Sequence, residues 1–300
     1  MAHKLGASLV FMTTVPYSLP ELSWAVGDPW NPSFTPNIML GLTQNMNLKE
    51  RLLNTLFTTF YLLGRKFYVH PKVEKMLAEV FPQDSIPALD DLKQSSGLLL
   101  EILTLHFLTD QLFPALYINH GSPFLGDGLR PVSPKTINSG LMSCRPAQPL
   151  PQDLLEFVQS AQHGVILVSF GSILQASAMP DYKRQMMLRV FSRLEQKVIW
   201  KWELPMPEAP ENVLISAWLP QTSLLAHTNV RLFITHGGAG SIQETICHKT
   251  PILGVPFFGD QIVNVREAVN RNIGRTLPWF EMDEQAFEKE INEVAAALNK

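Results

Sequence analysis

The sequence has little cysteine, no long apolar run and no cluster of positive charge. Only two cysteines occur among its 300 residues, Cys144 and Cys247. They set no disulfide framework and lack the short spacing of a metal-binding motif, although a single bridge between them stays open. The formal net charge is -3, and no run of lysine or arginine is present, which argues against a surface for nucleic acid or anionic membrane.

No stretch is apolar for long enough to span a bilayer. The best candidates, residues 52–64 and 98–108, are short and carry threonine or charge, so we interpret them as buried helix or strand. Residues 1–17 have the order of basic and apolar residues of a weak signal peptide, and the alternative is an internal segment of a domain. Apolar residues make up 46% of the chain, enough for the core of one large domain or two ordinary ones.

A stretch rich in proline, residues 120–151, divides the sequence into two parts of different character. Six prolines fall in it, together with several glycine and serine residues. Proline and glycine at this density break regular structure and are typical of inter-domain linkers. We therefore predict two domains, residues 1–145 including the linker and residues 146–300.

Apolar runs alternate with helical patterns after the linker. The predicted strands are residues 165–170, 197–202, 212–216, 231–235 and 252–255. The predicted helices are residues 181–195 and 283–298. This alternation favours a parallel sheet covered on both faces, in which ligands bind beyond the carboxyl ends of the strands. Before the linker we expect helices at 48–64 and 70–81 and strands at 98–103 and 115–118, which define no fold by themselves.

A glycine turn, residues 236–241 (HGGAGS), follows the fourth predicted strand and precedes a helical pattern. Glycine lets the backbone approach a ligand closely. The free N–H groups and the dipole at the start of a helix favour an anion such as phosphate. Ser241 and His236 could add side-chain donors to the same phosphate. The alternative is a glycine-rich connection with no chemical purpose.

Three side chains near this turn suit a nucleoside. Glu244 lies one helical turn after Ser241, where its carboxylate could accept hydrogen bonds from ribose hydroxyls or stabilise its own helix end. Trp218 follows a predicted strand, where its indole could stack on a base or pack in the interior. Gln221 could orient a ribose or cap the turn that follows.

Asp260 and Gln261 place a carboxylate beside an amide after the segment 256–259 (PFFG). Such a pair suits the recognition of vicinal sugar hydroxyls. The alternative is the N-cap of a helix that begins there.

The joint order of these motifs, WLPQ, then HGG..S..E, then P....P...DQ, resembles the signature of the UDP-dependent glycosyltransferases, and in particular the animal UDP-glucuronosyltransferase and UDP-glucosyltransferase branch. Residues 164–172 (GVILVSFGS) also resemble the first strand and phosphate loop of that family. The resemblance is strong after residue 145 and loose before it. The matching residues are Trp218, Pro220, Gln221, His236, Gly237, Gly238, Ser241, Glu244, Pro251, Pro256, Asp260 and Gln261.

The resemblance implies an α/β fold with two Rossmann-like domains (GT-B), of which the N-terminal one is incomplete. Residues 1–145 would be a partial acceptor-binding domain with the linker, and residues 146–300 the UDP-sugar donor-binding domain. The expected whole protein is anchored in the endoplasmic reticulum membrane with its sites on the lumenal side. This chain would then be a fragment without the N-terminal start and without the membrane anchor.

The resemblance also implies a role for each matching side chain. Trp218 would stack on uracil, and Gln221 and Glu244 would bind the ribose. Asp260 and Gln261 would contact hydroxyls of the donor sugar. The residues implied to bind the diphosphate are Ser172, His236, Gly238 and Ser241.

Two positions depart from the family pattern. Gly240 stands where many relatives carry asparagine, which removes one possible amide donor. Ser139-Gly140 replaces the paired glycines that precede the linker of the family. Neither change excludes nucleotide binding.

The implied reaction is transfer of a hexosyl or glucuronosyl group from UDP-glucose or UDP-glucuronate to a small lipophilic hydroxyl compound, with inversion and without a metal or other cofactor. It needs a general base, for which a histidine is suited. His236 is assigned to phosphate, and the remaining seven histidines lack the strand–loop–helix context of a base, so we predict that the base is missing. The sequence predicts no oligomeric state and no nucleic-acid partner.

Two other functions stay open. The chain could be a non-catalytic protein that binds UDP or a UDP-sugar, for example as the partner of a full-length relative. It could also be a different nucleotide-sugar or phosphorolytic enzyme of the same fold. The set of Trp218, Gln221 and Glu244 favours uridine and argues against the last of these.

Overall fold

The computed structural model describes residues 10–13, 30–69, 71–72, 75–76, 79, 116–119, 132–173 and 175–297. The chain divides into two compact units, Met1–Gly140 and Leu141–Lys300. The division therefore falls between residues 140 and 141, whereas the sequence predicts it between 145 and 146. The assignment of the two parts to acceptor and donor remains a prediction.

The first unit contains a three-stranded parallel sheet. Its strands, in their order in the sheet, are β1 (Val10–Thr13), β2 (Leu116–Asn119) and β3 (Thr136–Asn138). The predicted strand at 115–118 is confirmed as β2 with a shift of one residue. The expectation that residues 120–151 lack regular structure is wrong at β3, because its three residues contain no proline and include two β-branched side chains. The strand predicted at 98–103 lies outside the described residues.

Helix α1 (Leu48–Gly64) has the predicted bounds. It begins with a capping box, in which the Asn47 side chain accepts from the Glu50 N–H at 3.0 Å and the Asn47 N–H donates to Glu50 Oε2 at 2.8 Å. A π-helical turn, Arg65–Val69, follows. The predicted helix at 70–81 lies mostly outside the described residues, and positions 71, 72, 75, 76 and 79 are helical.

The second unit contains a six-stranded sheet in which every strand pair is parallel. The strands are β4 (Val165–Ser169), β5 (Lys197–Lys201), β6 (Val213–Ser216), β7 (Val230–Thr235), β8 (Ile252–Gly254) and β9 (Gly274–Thr276). Their order in the sheet is β6-β5-β4-β7-β8-β9, so the direction of strand addition reverses between β4 and β7. All five predicted strands are confirmed within two residues, and β9 is the strand of this sheet that the sequence did not predict.

Helices connect these strands. They are α2 (Gln152–Gln159), α3 (Asp181–Ser192), α4 (Gln221–Leu225), α5 (Ala239–His248), α6 (Asp260–Asn270) and α7 (Glu284–Ala297). The predicted helices at 181–195 and 283–298 are confirmed as α3 and α7, each with slightly shorter bounds. Within the described residues, no helix combines the length and the apolar character needed to cross a membrane.

The core of the second unit lies between the sheet and the helices α3 and α7. Phe191 of α3 packs edge-on against Trp200 of β5, with ring centroids 5.4 Å apart, and lies 5.8 Å from Phe287 of α7. All three side chains are completely buried. Burial of such large apolar side chains fixes the sheet, and the sheet in turn fixes the loops at the carboxyl ends of its strands.

Candidate functional site

The candidate site lies where the strand order reverses. Ser169 and Thr235 are register partners at the ends of β4 and β7, so the loops that follow these two strands are neighbours. In sheets of this order, ligands bind in the crevice beside this reversal. The loop after β4 contains Gly171 and Ser172, and the loop after β7 contains His236.

Two glycines enclose the imidazole of His236. A Cβ atom added to Gly171 would lie 2.8 Å from His236 Cε1, and one added to Gly238 would lie 2.6 Å from His236 Nε2. Gly171 also has φ +87°, a conformation that disfavours other residues. Glycine is therefore required at both positions for the histidine to occupy this place.

Burial lowers the pKa of His236 to about 4, so the ring is neutral near pH 7. A neutral imidazole donates from one nitrogen and accepts at the other. His236 Nδ1 is buried without a hydrogen-bond partner among the described residues. An unpaired polar atom in a buried place is rare in folded proteins. A bound phosphate would raise the pKa, because a negative charge nearby favours the protonated ring.

The first turn of α5 offers free backbone donors at the same place. Its N-cap, Gly238, makes no side-chain capping bond, and the first bond of the helix runs from the Ile242 N–H to the Gly238 carbonyl at 3.0 Å. The N–H groups of Ala239, Gly240 and Ser241 therefore have no acceptor within the helix. Free N–H groups and a helix dipole favour an anion, and the binding of phosphate at this turn stays a prediction.

The polar side chains of α4 and α5 form one hydrogen-bonded network. Gln221 Nε2 donates to Glu244 Oε2 at 2.5 Å and to Ser241 Oγ at 3.2 Å. Thr222 Oγ1 donates to the other carboxylate oxygen of Glu244. The structure thus brings Gln221, Ser241 and Glu244 together. Thr222 was missed by the sequence reasoning, although its place next to Gln221 at the start of a helix could have indicated it.

Trp218 lies in the connection between β6 and α4 and is 73% exposed. Trp218 is therefore not a tryptophan packed in the interior, which was the alternative interpretation of the sequence. Its carbonyl accepts a hydrogen bond from Ser216 Oγ at 2.8 Å, and the adjacent Leu219 is buried. The backbone is thus fixed while the indole is open to a ligand.

Asp260 and Gln261 begin α6, whose N-cap is Gly259 and not Asp260. Asn264 Nδ2 donates to Asp260 Oδ2 at 2.8 Å and to the Gly237 carbonyl at 2.9 Å. Asp260 is thereby linked to the glycine turn. Asn264 was also missed, and its spacing of four residues from Asp260 on one helix face was the available signal.

Gln261 supports the loop in front of its own helix. Its Oε1 accepts from the N–H groups of Phe257 at 2.9 Å and Phe258 at 3.3 Å, and the residue is only 7% exposed. Its side-chain oxygen therefore already has two donors. Only the Nε2 group remains for a sugar hydroxyl.

Burial raises the pKa of Asp260, and the hydrogen bond from Asn264 partly offsets this effect. The carboxylate is therefore less stable as an anion here than in water. Hydroxyl donors from a bound sugar would favour the charged form. The environment thus suits a group that accepts hydrogen bonds from a ligand.

Ser172 is exposed at the end of the loop after β4. The loop is held from β5, since Lys201 Nζ donates to the Gly171 carbonyl at 2.8 Å and lies 3.4 Å from Glu203 Oε1. Glu203 Oε2 in turn accepts from the Ser177 N–H at 3.0 Å. Lys201 and Glu203 were not predicted, because nothing in their local sequence marks them.

The two cysteines form a disulfide bond between Cys144 and Cys247, with Cα atoms 5.8 Å apart. This separation is normal for a disulfide. The bond attaches residues 141–148, which we call the tethered segment, to α5. The Gln148 N–H also donates to Ser223 Oγ of α4 at 2.9 Å. The sequence alone does not decide whether the two cysteines are bonded, and the structure shows that they are.

The remaining histidines of the described residues have other positions. His163 precedes β4 and pairs with Glu195 at 3.4 Å, and His227 Nδ1 accepts from the Asn229 N–H at 3.1 Å. His248 ends α5. Within the described part of the chain, His236 is thus the only histidine at the carboxyl end of a strand. The predicted absence of a general base stays a prediction, because four other histidines lie outside these residues.

Solved structures share this fold. The calicheamicin glycosyltransferase CalG4 has a TM-score of 0.52 at 16% identity, over 98% of this chain and 61% of that one. A UDP-glucosyltransferase from Polygonum tinctorium has a TM-score of 0.51 at 20% identity, over 64% of this chain and 47% of that one. These likenesses show the fold alone. Together with the parallel sheet they confirm the predicted GT-B class.

Sequence relatives extend the likeness. UDP-glycosyltransferase UGT5 of Dactylopius coccus is 33% identical over 90% of this chain and 48% of its own length. UDP-glucuronosyltransferase 3A1 of Xenopus laevis is 30% identical over 98% and 53%. The 2-hydroxyacylsphingosine 1-beta-galactosyltransferase of Homo sapiens is 32% identical over 95% and 48%. The chain thus spans about half the length of these relatives.

The family model that matches the chain is described as UDP-glucoronosyl and UDP-glucosyl transferase and covers residues 123–298. That range includes the glycine turn, the network of α4 and α5, and the start of α6. It also agrees with the family that the sequence motifs resemble. By this match, the chain belongs to the UDP-glucoronosyl and UDP-glucosyl transferase family.

Proposed function

We propose that the second unit binds a UDP-sugar beside the reversal of its sheet. The proposed activity of the protein is transfer of the hexosyl or glucuronosyl group to a small lipophilic hydroxyl compound, with inversion and without a metal. The observation that carries the proposal is the network of Gln221, Ser241 and Glu244 next to the free N–H groups of α5. It provides carboxylate acceptors and backbone donors within one helical turn, as a nucleotide requires.

The uridine would bind on the α4 side. The exposed indole of Trp218 offers a face for uracil, and stacking of this kind is worth about 1–3 kcal/mol per base. Glu244 would accept hydrogen bonds from ribose hydroxyls, since a carboxylate has about four acceptor sites and two are in use here. Gln221 fixes the carboxylate and would contact the ribose.

The diphosphate would bind at the start of α5. Ser241 Oγ accepts from Gln221, so its own proton is available to a phosphate oxygen. The backbone at Gly238 and the hydroxyl of Ser172 would add donors from the two loops. His236 would donate one further hydrogen bond, and since its ring is neutral, the backbone and helix dipole supply most of the stabilisation.

These donors would also act during transfer. The acceptor oxygen attacks the anomeric carbon, the bond from that carbon to the β-phosphate oxygen breaks, and UDP leaves with the electron pair. Negative charge on the departing phosphate grows in the transition state, where fixed donors stabilise it most. Asp260 and Gln261 would orient the sugar through its hydroxyl groups.

The proton of the acceptor must pass to a base. His236 suits this role poorly, because it is assigned to the diphosphate and burial lowers the pKa of its ring, without a ligand, to about 4. A second candidate function is therefore a non-catalytic protein that binds UDP or a UDP-sugar, as the partner of a full-length relative. The transfer assay below separates the two candidates.

We also propose the lumenal side of the endoplasmic reticulum membrane for the whole protein. The bond between Cys144 and Cys247 supports an oxidising compartment, where disulfides form and persist.

Calorimetric titration of the purified chain with UDP, uridine and pyrophosphate tests the proposal. We expect UDP to bind, and Trp218→Ala to weaken UDP and uridine about tenfold while pyrophosphate is unchanged, as loss of roughly 1.4 kcal/mol of stacking requires. Phe280→Ala is the matched control, because Phe280 is an aromatic residue with 89% exposure in the same unit.

Glu244→Ala should weaken the binding of UDP, and the stacking of uracil on the Trp218 indole should remain. Unchanged UDP affinity in both the Trp218 and Glu244 variants would contradict the proposed site. The same samples are then assayed for transfer from UDP-glucose and UDP-glucuronate. Binding without transfer would favour the non-catalytic function, and transfer would favour the enzyme.

A further inference from the structure

Ser143 of the tethered segment lies against the first turn of α5. A Cβ atom added to Gly240 would lie 3.4 Å from Ser143 Oγ. The hydroxyl thus lies beside the first turn of α5, whose N–H groups have no acceptor within the helix. Ser241, which follows Gly240 on the helix, is already part of the candidate site.

Ser143 is held in this position from both sides. Its own N–H donates to Gln243 Oε1 of α5 at 3.1 Å. The next residue, Cys144, is joined to the same helix through Cys247. The backbone of Ser143 is thus fixed on α5 by a hydrogen bond and an adjacent covalent bond, so a ligand would meet a hydroxyl that is already in place.

The hydroxyl is free with respect to the described part of the chain. Ser143 Oγ has no hydrogen-bond partner there, and the side chain is partly exposed. A serine hydroxyl can donate one hydrogen bond and accept others. A donor beside free backbone N–H groups is suited to an anion.

Gly240 borders the same hydroxyl. Its φ angle is not positive, so the backbone conformation does not demand glycine, and glycine is unfavourable inside a helix. A Cβ atom at position 240 would be in ordinary van der Waals contact with Ser143 Oγ. A side chain larger than a methyl group could therefore cover the hydroxyl.

We propose that Ser143 is a further donor-binding residue, whose hydroxyl donates a hydrogen bond to the diphosphate of the bound nucleotide. This inference rests on the proposed function of the second unit. The tethered segment is then part of the binding site, and the disulfide positions Ser143, one of the residues that bind the nucleotide.

The first test compares Ser143→Ala with the unchanged chain in titrations with UDP and with uridine. Loss of a hydrogen bond to a charged group should weaken UDP about tenfold, while uridine, which lacks phosphate, should bind as before. Gln148→Ala is the matched control, because Gln148 contributes its backbone N–H and not its side chain to the contact with α4. The thermal unfolding midpoint should be the same in all three proteins.

The second test is Gly240→Leu, whose side chain extends beyond the Cβ contact at 3.4 Å and would cover the hydroxyl. It should weaken UDP to a similar extent although leucine favours the helix more than glycine does, and the double variant should be no weaker than either single one. Full UDP affinity in Ser143→Ala would overturn this inference alone if Trp218→Ala still weakens UDP. If the unchanged chain binds no UDP, the proposed function fails and this inference fails with it.

Discussion

Helices α5 and α6 begin at the same edge of the sheet, and each has a glycine N-cap without a side-chain capping bond. They differ in what fills the space before the first turn. In front of α5 the neutral ring of His236 lies between two glycines and the backbone donors stay free. In front of α6 the side-chain oxygen of Gln261 accepts hydrogen bonds from the loop N–H groups of Phe257 and Phe258. One local architecture thus leaves backbone donors free in the first case and gives a self-supported loop in the second.

The largest effect that separates these two helix starts should come from pH. His236 has a folded pKa of about 4, below the ordinary value near 6.5, so the unfolded chain binds more protons between these values. Stability is therefore greatest above pH 6.5 and falls as the pH is lowered towards 4, by roughly 3 kcal/mol for this group. Urea unfolding at pH 7 and pH 4.5 measures the loss.

His236→Gln is the matched control for that experiment, since glutamine does not titrate and also offers a polar side-chain group. Asp260 and Glu267, whose pKa values are raised by burial, act in the opposite direction in both proteins. The difference between the two pH dependences therefore isolates the histidine. Equal pH dependences would contradict the buried neutral ring.

The next effect concerns space in front of α5. Gly238→Ala should destabilise the fold by about 1–3 kcal/mol, as overpacking does, because the new Cβ would lie 2.6 Å from His236 Nε2. UDP affinity should fall as well, since the ring must move. Gly64→Ala is the control, because a Cβ there meets nothing within 4 Å. Chemical unfolding checks both variants, and equal stability of the two would argue against the enclosed ring.

The smallest effect is expected in front of α6. Gln261→Leu leaves the N–H groups of Phe257 and Phe258 without their acceptor, which should cost about 1–2 kcal/mol. If this loop affects only the contact with the donor sugar, UDP should bind as before, and the affinity for UDP-glucose should fall towards that for UDP. An equal loss for both ligands in the same titrations would place Gln261 in nucleotide binding instead.

The sheet of the second unit was predictable because its strands are apolar on both faces. All five residues of β4 are buried, and such continuous runs are typical of parallel strands. Strand β9 was not predictable, since Gly274, Arg275 and Thr276 form no apolar run. It exists because the neighbouring strand β8 offers an edge.

Helix α1 shows a different limit of sequence patterns. Its bounds follow from periodicity and the capping box, but its buried face does not. Asn54 is completely buried, with its amide bound to backbone groups of residues 32, 35 and 37, whereas Leu52 is 60% and Phe60 77% exposed. Periodicity indicates that a helix forms, and only tertiary contacts decide which face is covered.

Some side chains of the candidate site could be predicted from the sequence, and others could not. Trp218, Gln221, Ser241 and Glu244 could be proposed from their spacing, since they lie in one short part of the chain. Lys201 and Ser143 could not, because they reach the site through the sheet and through the disulfide. Contacts across such distances in sequence leave no local pattern.

The bond between Cys144 and Cys247 spans 103 residues, and this has a consequence for proteolysis. The two cysteines close a covalent ring that contains strands β4 to β7 and helices α2 to α4. A single cut in any exposed loop of the ring therefore leaves one molecule and not two. After limited digestion, such a product should migrate as a single chain on a gel without reductant and separate into two pieces when a thiol is added.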